Sequence, residues 1–335
     1  MSLRSFLLKR IAYTIVLIFF VILLNWVIFE AMPGVSGNLY QILGQSGRLS
    51  PAQYQRQIDL YGLDKGYWER FYDYLKAMGT FQFGFSYASN QPVSTQLIAE
   101  GTLLNTLELL GASTVMSIII GVLLGILISR RRGSSLDNFW VTTSLTTFSL
   151  PTFFMGILLI FIFAYTLGWF PAGGIYPTAW NNSALHLRPD IWGQILVRLQ
   201  YLFLPALTLT MFSYGGFLLL TRATMQEALG EDYILTARAK GVAERTILMK
   251  HAFKNASLPI ITSSALAFGG ILSGAIITET IFNWPGIGLW LYSSVLYKDF
   301  PVMQALFYII ALSVIAANFV SDILYGIVDP RIKYE

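Results

Sequence analysis

The sequence predicts an all-α polytopic membrane protein with six transmembrane helices. Three observations carry that expectation: composition, the placement of uncharged runs, and the distribution of Lys and Arg. Of the 335 residues 55% are hydrophobic and only 12% charged, with a mean hydropathy of +0.60. A soluble domain carries about 25% charged residues. Six runs approach the roughly 20 apolar residues that cross a hydrocarbon core of about 30 Å: Ile11–Phe29, Leu109–Ser129, Phe148–Phe170, Leu199–Leu220, Leu258–Thr278 and Met303–Ser321. With six crossings both termini share one side, and that side collects 14 of the 22 basic residues, among them Arg4, Lys9, Arg10, Arg130, Arg131, Arg132, Arg331 and Lys333. Short basic flanks mark the cytoplasmic face, so both termini are expected there. The sequence pI of about 9.1 then reflects topology and lipid contact, and does not call for nucleic acid.

Taken in order, residues 1–30 read as an N-terminal transmembrane helix. Its apolar run exceeds the roughly 7 to 15 residues of a signal-peptide core, and no small-residue cleavage site follows, so it is expected to stay as an anchor. Residues 31–100 mix aromatics with charges, and SPAQYQRQIDLYGLDKGYWERFYDYLKAMG reads as two amphipathic helices broken at Gly62–Gly66. This is expected to be a small extracytoplasmic subdomain, either a cap over the bundle or a docking surface for an external partner. Residues 101–328 form a five-helix core, and 329–335 a cytoplasmic tail.

Within the core, Pro151 in TFSLPTFFMG is expected to kink the third span, because an interior proline removes a backbone bond and clashes with the preceding turn. Such a kink is either structural or a gate hinge. Carboxylates lie near span ends, at Glu108, Glu279 and Asp322, whereas a proton-driven transporter needs them nearer the midplane. Glu279 is read either as an interfacial carboxylate bonded to amides of the following NWPGIG turn or as part of a solute pathway.

The longest polar interruption, residues 222–257, is basic and helical in pattern. Asp232 is expected to cap a helix starting at Tyr233, and Gly241 to end it in the left-handed conformation. Tyr233, Ala237 and Gly241 then share a face, and the small residues Ala237, Ala239 and Gly241 allow close approach of another protein. Thr236 lies on the same short helix, and Arg238 and Lys240 supply charge at the rim. Bulky apolar residues would suit a lipid-bound helix better, so the pattern favours docking into a protein groove.

Catalytic chemistry is not indicated. No triad or metal spacing is recognisable, cysteine is absent, and the two histidines, His186 and His251, are far apart. No G-x-x-x-x-G-K-[ST] loop occurs, so the chain is not expected to bind ATP itself.

Several segments resemble one known family. DYILTARAKG followed by LMKHAFKNASLP is similar to the cytoplasmic loop of binding-protein-dependent ABC importer permeases of the dipeptide/oligopeptide/nickel branch. ETIFNWPGIGLWLYSSVLYKDFPV resembles that family's segment between its last two helices, and NFVSDILYGIVDPRIKY its C-terminal signature. The GFSY before Pro92 and the LLNTLELL of 103–110 are similar as well. Relative to the broader permease pattern, Leu235-Thr236-Ala237 stands in place of Glu-Ala-Ala and the Gly241 to Pro259 spacing is longer, as in the peptide/nickel branch.

The resemblance implies a type I ABC importer permease fold and a prokaryotic inner-membrane location. It implies a non-catalytic subunit paired with a second homologous permease, two cytoplasmic ABC ATPases that hold the ATP and Mg, and an extracytoplasmic solute-binding protein, with membrane lipid around it. The chain itself would carry no cofactor or metal. The helix Asp232–Gly241 would be the coupling helix that docks an ATPase, and Glu279, Phe282, Trp284, Pro285 and Gly286 would belong to an external gate or pathway. Peptides are the leading cargo, with oligosaccharides or nickel complexes as alternatives on the same machinery. A reading of another class is a channel or secondary transporter working without ATPases.

Overall fold

The computed structural model describes residues 3–31, 55, 59, 65–181, 188–269 and 275–328. The described residues are helical, with one isolated antiparallel bridge between Phe85 and Pro92. Among the described residues four helices are long and apolar enough to cross a membrane, five if the bent pair Ser135–Ser149 and Thr152–Thr166 counts as one span. The run Leu258–Thr278 passes through 270–274, outside the described residues, and the first of the two amphipathic helices read from sequence lies largely outside them too.

The described residues fall into two compact units, 1–104 with 290–316, and 105–289 with 317–328. In the first, α1 (Leu3–Trp26) continues as a π-helical turn to Ala31, and α2 (Tyr67–Gly79) packs against it. Trp26, buried near the end of α1, meets Tyr67, Phe71 and Tyr74 of α2 with ring centroids 5.2–5.8 Å apart. A short α3 (Val93–Ile98) follows a loop held by Asp299, whose carboxylate accepts from Ser86 Oγ at 2.5 Å and from the amides of Tyr87 and Ala88 at 3.0 and 3.2 Å. The GFSY and YKDFPV segments therefore meet through one buried carboxylate. Asn25 Nδ2 donates to the Gln304 carbonyl and ties α1 to the last helix, Phe300–Val328.

The second unit is organised on one long helix. Helix α4 (Thr102–Ser129) carries Ser113, Ser117, Gly121, Gly125 and Ser129 at four-residue steps, all buried. Such a ladder of small residues lets helix backbones approach where no hydrophobic effect drives association within lipid. Its partner is α7 (Ile191–Leu229): a Cβ on Gly121 would overlap the Tyr214 carbonyl and Phe217, and one on Gly125 would overlap Thr221. Between them in sequence, α5 (Ser135–Ser149) and α6 (Thr152–Leu159, continuing as a π-helical segment to Thr166) meet at a bend of 103°.

The expected Pro151 kink within one helix is corrected here, since Pro151 stands between two helices. Leu150 is extended, with ψ 136°, as the residue before a proline prefers, and Pro151 caps α6. After α7 come α8 (Asp232–Ala239), a three-residue turn α9 (Glu244–Thr246), a π-helical segment Ile247–Ala252 and α10 (Phe253–Gly269). Helices α11 (Ile276–Ile281), α12 (Ile287–Tyr297) and α13 (Phe300–Val328) complete the chain.

Candidate functional site

Helix α8 is fixed from one side only. Ile234 and Ala237 point into a cluster with Ile126 of α4, Met225 and Ala228 of α7, and Ile247, Leu248, Ala252 and Ala256. Residues 231–233, 235, 236 and 238–240 remain exposed, and Leu235 is 67% exposed. Three sequence expectations change. Glu231 occupies the capping position in place of Asp232, which is the first helical residue, and no side chain caps the helix. Ala237 is buried in the chain's own core, so its small size serves the seating of α8 and is not presented to a partner. The outward surface is instead Tyr233, Leu235, Thr236 and Ala239, with Arg238 and Lys240 beside it.

Gly241 takes φ +72°, and its amide donates to the Arg238 carbonyl at 2.9 Å while Val242 donates to Ala237 at 3.2 Å. This pair of bonds is the glycine-terminated cap in which the chain reverses and its next apolar residue packs back, and Val242 does pack on the cluster. Arg238 Nε donates to Glu244 Oε1 at 3.0 Å across that reversal.

The turn between α11 and α12 is the second constellation. Glu279 is fully buried; its Oε1 accepts from Thr106 Oγ1 at 2.7 Å, and its Oε2 from the amides of Gly288 at 2.7 Å and Leu289 at 3.1 Å. Thr106 Oγ1 in turn accepts from the Ile287 amide at 2.7 Å. A Cβ on Gly286 would overlap both Thr106 Oγ1 and the Glu279 carboxylate, so the turn closes this tightly only around glycine. Trp284, also buried, donates Nε1–H to the Asn105 carbonyl at 2.8 Å, and Asn105 Nδ2 donates to the Pro285 carbonyl at 2.8 Å. Phe282 lies buried against Leu159 and Leu204, and its carbonyl accepts from the Gly174 amide at 2.8 Å. Glu279, Phe282, Trp284 and Gly286, with Pro285 half-buried among them, thus form one turn stitched to the start of α4, and α6, the helix after Pro151, packs on α11.

Two ion pairs were not singled out from the sequence. Arg198, in the second turn of α7, makes a forked contact with Glu108, donates to Asn105 Oδ1 at 2.6 Å, and holds its guanidinium 4.6 Å from the Trp284 ring centroid. At the far end of the same helix Arg222 donates from Nε and Nη2 to the two oxygens of Asp137 at 2.6 and 2.7 Å, and Asp137 also accepts from the Gly133 amide. The signal available was an ionisable residue at each end of an apolar run, which inside a membrane protein calls for a partner. Among the described residues, no cluster of three or more His, Cys, Asp or Glu could hold a metal.

A multi-pass helical membrane protein, with an exposed short helix seated on the ends of its spans and a buried turn at its longest helix's other end, is the class that fold and site define. The model of the binding-protein-dependent transport system inner membrane component matches residues 117–334. The chain belongs to that family of inner-membrane permease components. It is 34% identical, over 99% of both chains, to the di/tripeptide transport system permease protein of Pseudomonas aeruginosa (strain UCBPP-PA14). It is 34% identical to the oligopeptide transport system permease protein of Bacillus subtilis (strain 168), over 98% of this chain and 99% of the relative. The glutathione transport system permease protein of Escherichia coli (strain K12) is 33% identical over 99% of both.

Proposed function

We propose that this chain is the membrane permease subunit of an ATP-driven peptide importer, crossing the membrane six times with both termini cytoplasmic. Full-length similarity to permeases named for dipeptides, oligopeptides and glutathione supports peptides as the cargo. The observation that carries the coupling role is the seating of α8: its inner face is buried by α4, α7 and the segment leading to α10, while Leu235 stands exposed beside Arg238 and Lys240. A helix held that way passes a push on its outer face directly to three other elements.

In this reading two cytoplasmic ATPases, which carry the ATP and Mg, dock on α8 and on its counterpart in a second permease. The chain itself performs no catalysis and holds no cofactor. Closure of the ATPases draws the α8 helices together and opens the pathway toward a solute-binding protein. The α11–α12 turn around Glu279, Phe282, Trp284, Pro285 and Gly286 then acts as part of the external gate, with Pro151 at the break that lets α6 move on α5.

Purification in mild detergent tests the assembly: an ATPase is expected to accompany the chain, and transport in proteoliposomes is expected to stop with vanadate. Isolation without an ATPase, together with vanadate-insensitive transport, would return the chain to the channel or secondary-transporter class. With the subunits reconstituted, peptides are expected to stimulate ATP hydrolysis while oligosaccharides and nickel chelates do not.

A further inference from the structure

Helix α2 presents a face that its own unit does not use. Tyr74 and Met78 are buried, yet Trp68 is 77% and Tyr72 68% exposed, one turn apart, with Lys76 exposed a further turn along and Tyr67 half exposed beside them. Large aromatics left in the open on one stripe need an environment that takes an apolar ring and a polar edge together.

The depth of that stripe follows from α1. Lys9 and Arg10 lie at the start of its apolar run, and Trp26 is sixteen residues further, about 24 Å along a helix rising 1.5 Å per residue. In a hydrocarbon core of about 30 Å, Trp26 therefore stands just inside the opposite boundary. Helix α2 is bound at that level: Trp26 Nε1 donates to Tyr67 Oη at 3.4 Å, and Phe71 and Tyr74 stack edgewise or tilted on the same indole. The outer flank of α1 is open apolar surface, with Phe19, Phe20, Leu24 and Val27 all exposed.

We propose that α2 is an interfacial anchor, lying in the headgroup layer at the C-terminal end of α1 with Trp68 and Tyr72 inserted among lipid headgroups and Lys76 reaching toward water. Tyr and Trp suit this boundary, and a lysine can extend its charged end to the aqueous side while its stem stays in the layer. Charge in the helix is balanced, Glu69 and Asp73 against Arg70 and Lys76, and Lys65 contacts both carboxylates, at 3.9 and 2.6 Å. Insertion thus draws on aromatic burial and requires no anionic lipid. The helix would hold the end of α1 at a fixed depth and leave the 80–92 loop, pinned by Asp299, as the part of this unit facing water.

The test uses the absence of native cysteine. Single Trp68→Cys and Tyr72→Cys variants of the full chain, reconstituted in phosphatidylcholine vesicles and spin-labelled, are compared with Leu24→Cys on the lipid flank and Ala88→Cys in the loop. The ratio of collision with oxygen to collision with a soluble nickel chelate is expected to be several-fold higher at 68 and 72 than at 88, and below that at 24. A ratio at both positions equal to that at 88 overturns the proposal. So does a water-like ratio that becomes protected only when a solute-binding protein is added, since that outcome makes the face a protein-docking surface. The measurement involves no transport, so its result is independent of the import reading.

Discussion

Glu279 shows how much a single side chain can organise. Its two oxygens receive three donors, the Thr106 hydroxyl from the start of α4 and two amides from the start of α12. A glutamine there must aim its NH2 at one of those donors, which leaves a buried donor unpaired at about 1–3 kcal/mol. Glu279→Gln is therefore expected to lower the thermal unfolding temperature of the detergent-solubilised protein, and Gly286→Ala to do the same by pushing the turn off Thr106.

Asp137 is the other sensitive carboxylate, 1% exposed and held in parallel by Arg222. Removing one partner of a fully buried pair typically costs about 3–5 kcal/mol, an upper bound here because Arg222 is 24% exposed. Arg222→Lys is expected to recover only part of the unfolding temperature lost in Arg222→Ala, because an ammonium cannot reproduce the two parallel bonds. The local half of these arrangements was legible in the sequence, as Glu279 faces amides of its own turn. Thr106, 173 positions away, and Arg222, 85 positions from Asp137, were not, since periodicity carries no information about which distant polar groups meet.

Helix α8 makes the same point for an element. Its left-handed glycine end could be read from residues 232–241, because that chemistry is local, whereas its start falls one residue earlier than the capping pattern placed it. Which face points inward could not, because that depends on α4, α7 and α10 arriving from elsewhere. Tyr233, Ala237 and Gly241 looked like a docking stripe, whereas burial runs through Ile234 and Ala237.

The two classes of variant should separate cleanly. Leu235→Glu is expected to abolish ATPase co-purification while unfolding temperature and membrane insertion stay unchanged. Ala237→Phe is expected to lower the unfolding temperature as well, since overpacking a filled core costs about 1–3 kcal/mol. Loss of stability in Leu235→Glu would remove it from the exposed surface. The small-residue ladder of α4 makes a third case: Gly125→Ile is expected to lower the unfolding temperature, by forcing the helix off Thr221 and the Leu218 carbonyl.

For the whole molecule, apolar runs and basic flanks foretold a multi-pass helical chain, and their boundaries match the described spans to within a few residues at several ends. Two runs stand apart: Leu258–Thr278 passes through 270–274, outside the described residues, and the third run is bent. Its apolar stretch starts at the end of α5, but the polypeptide turns by 103° beside Pro151, and composition alone does not distinguish a straight crossing from a broken one. Orientation is open to a direct check: in sealed right-side-out vesicles a membrane-impermeant maleimide is expected to label Ala88→Cys and to spare Glu244→Cys until the vesicles are opened.

The continuity of α7 has a mechanical consequence. At 39 residues it is about 58 Å long at 1.5 Å per residue, nearly twice the hydrocarbon thickness, and Arg198 and Met225 lie close to its opposite ends. Some 40 Å separate these two residues along the axis. If the helix tilts by about 10° as a rigid rod pivoting at the Met225 cluster, Arg198 sweeps about 7 Å over that 40 Å arm. That displacement is more than twice the length of the hydrogen bonds joining Arg198 to Glu108 and Asn105. A rotation too small to unseat one end is thus large enough to part the contacts at the other, so the ion pair beside Trp284 would break before the Met225 cluster does.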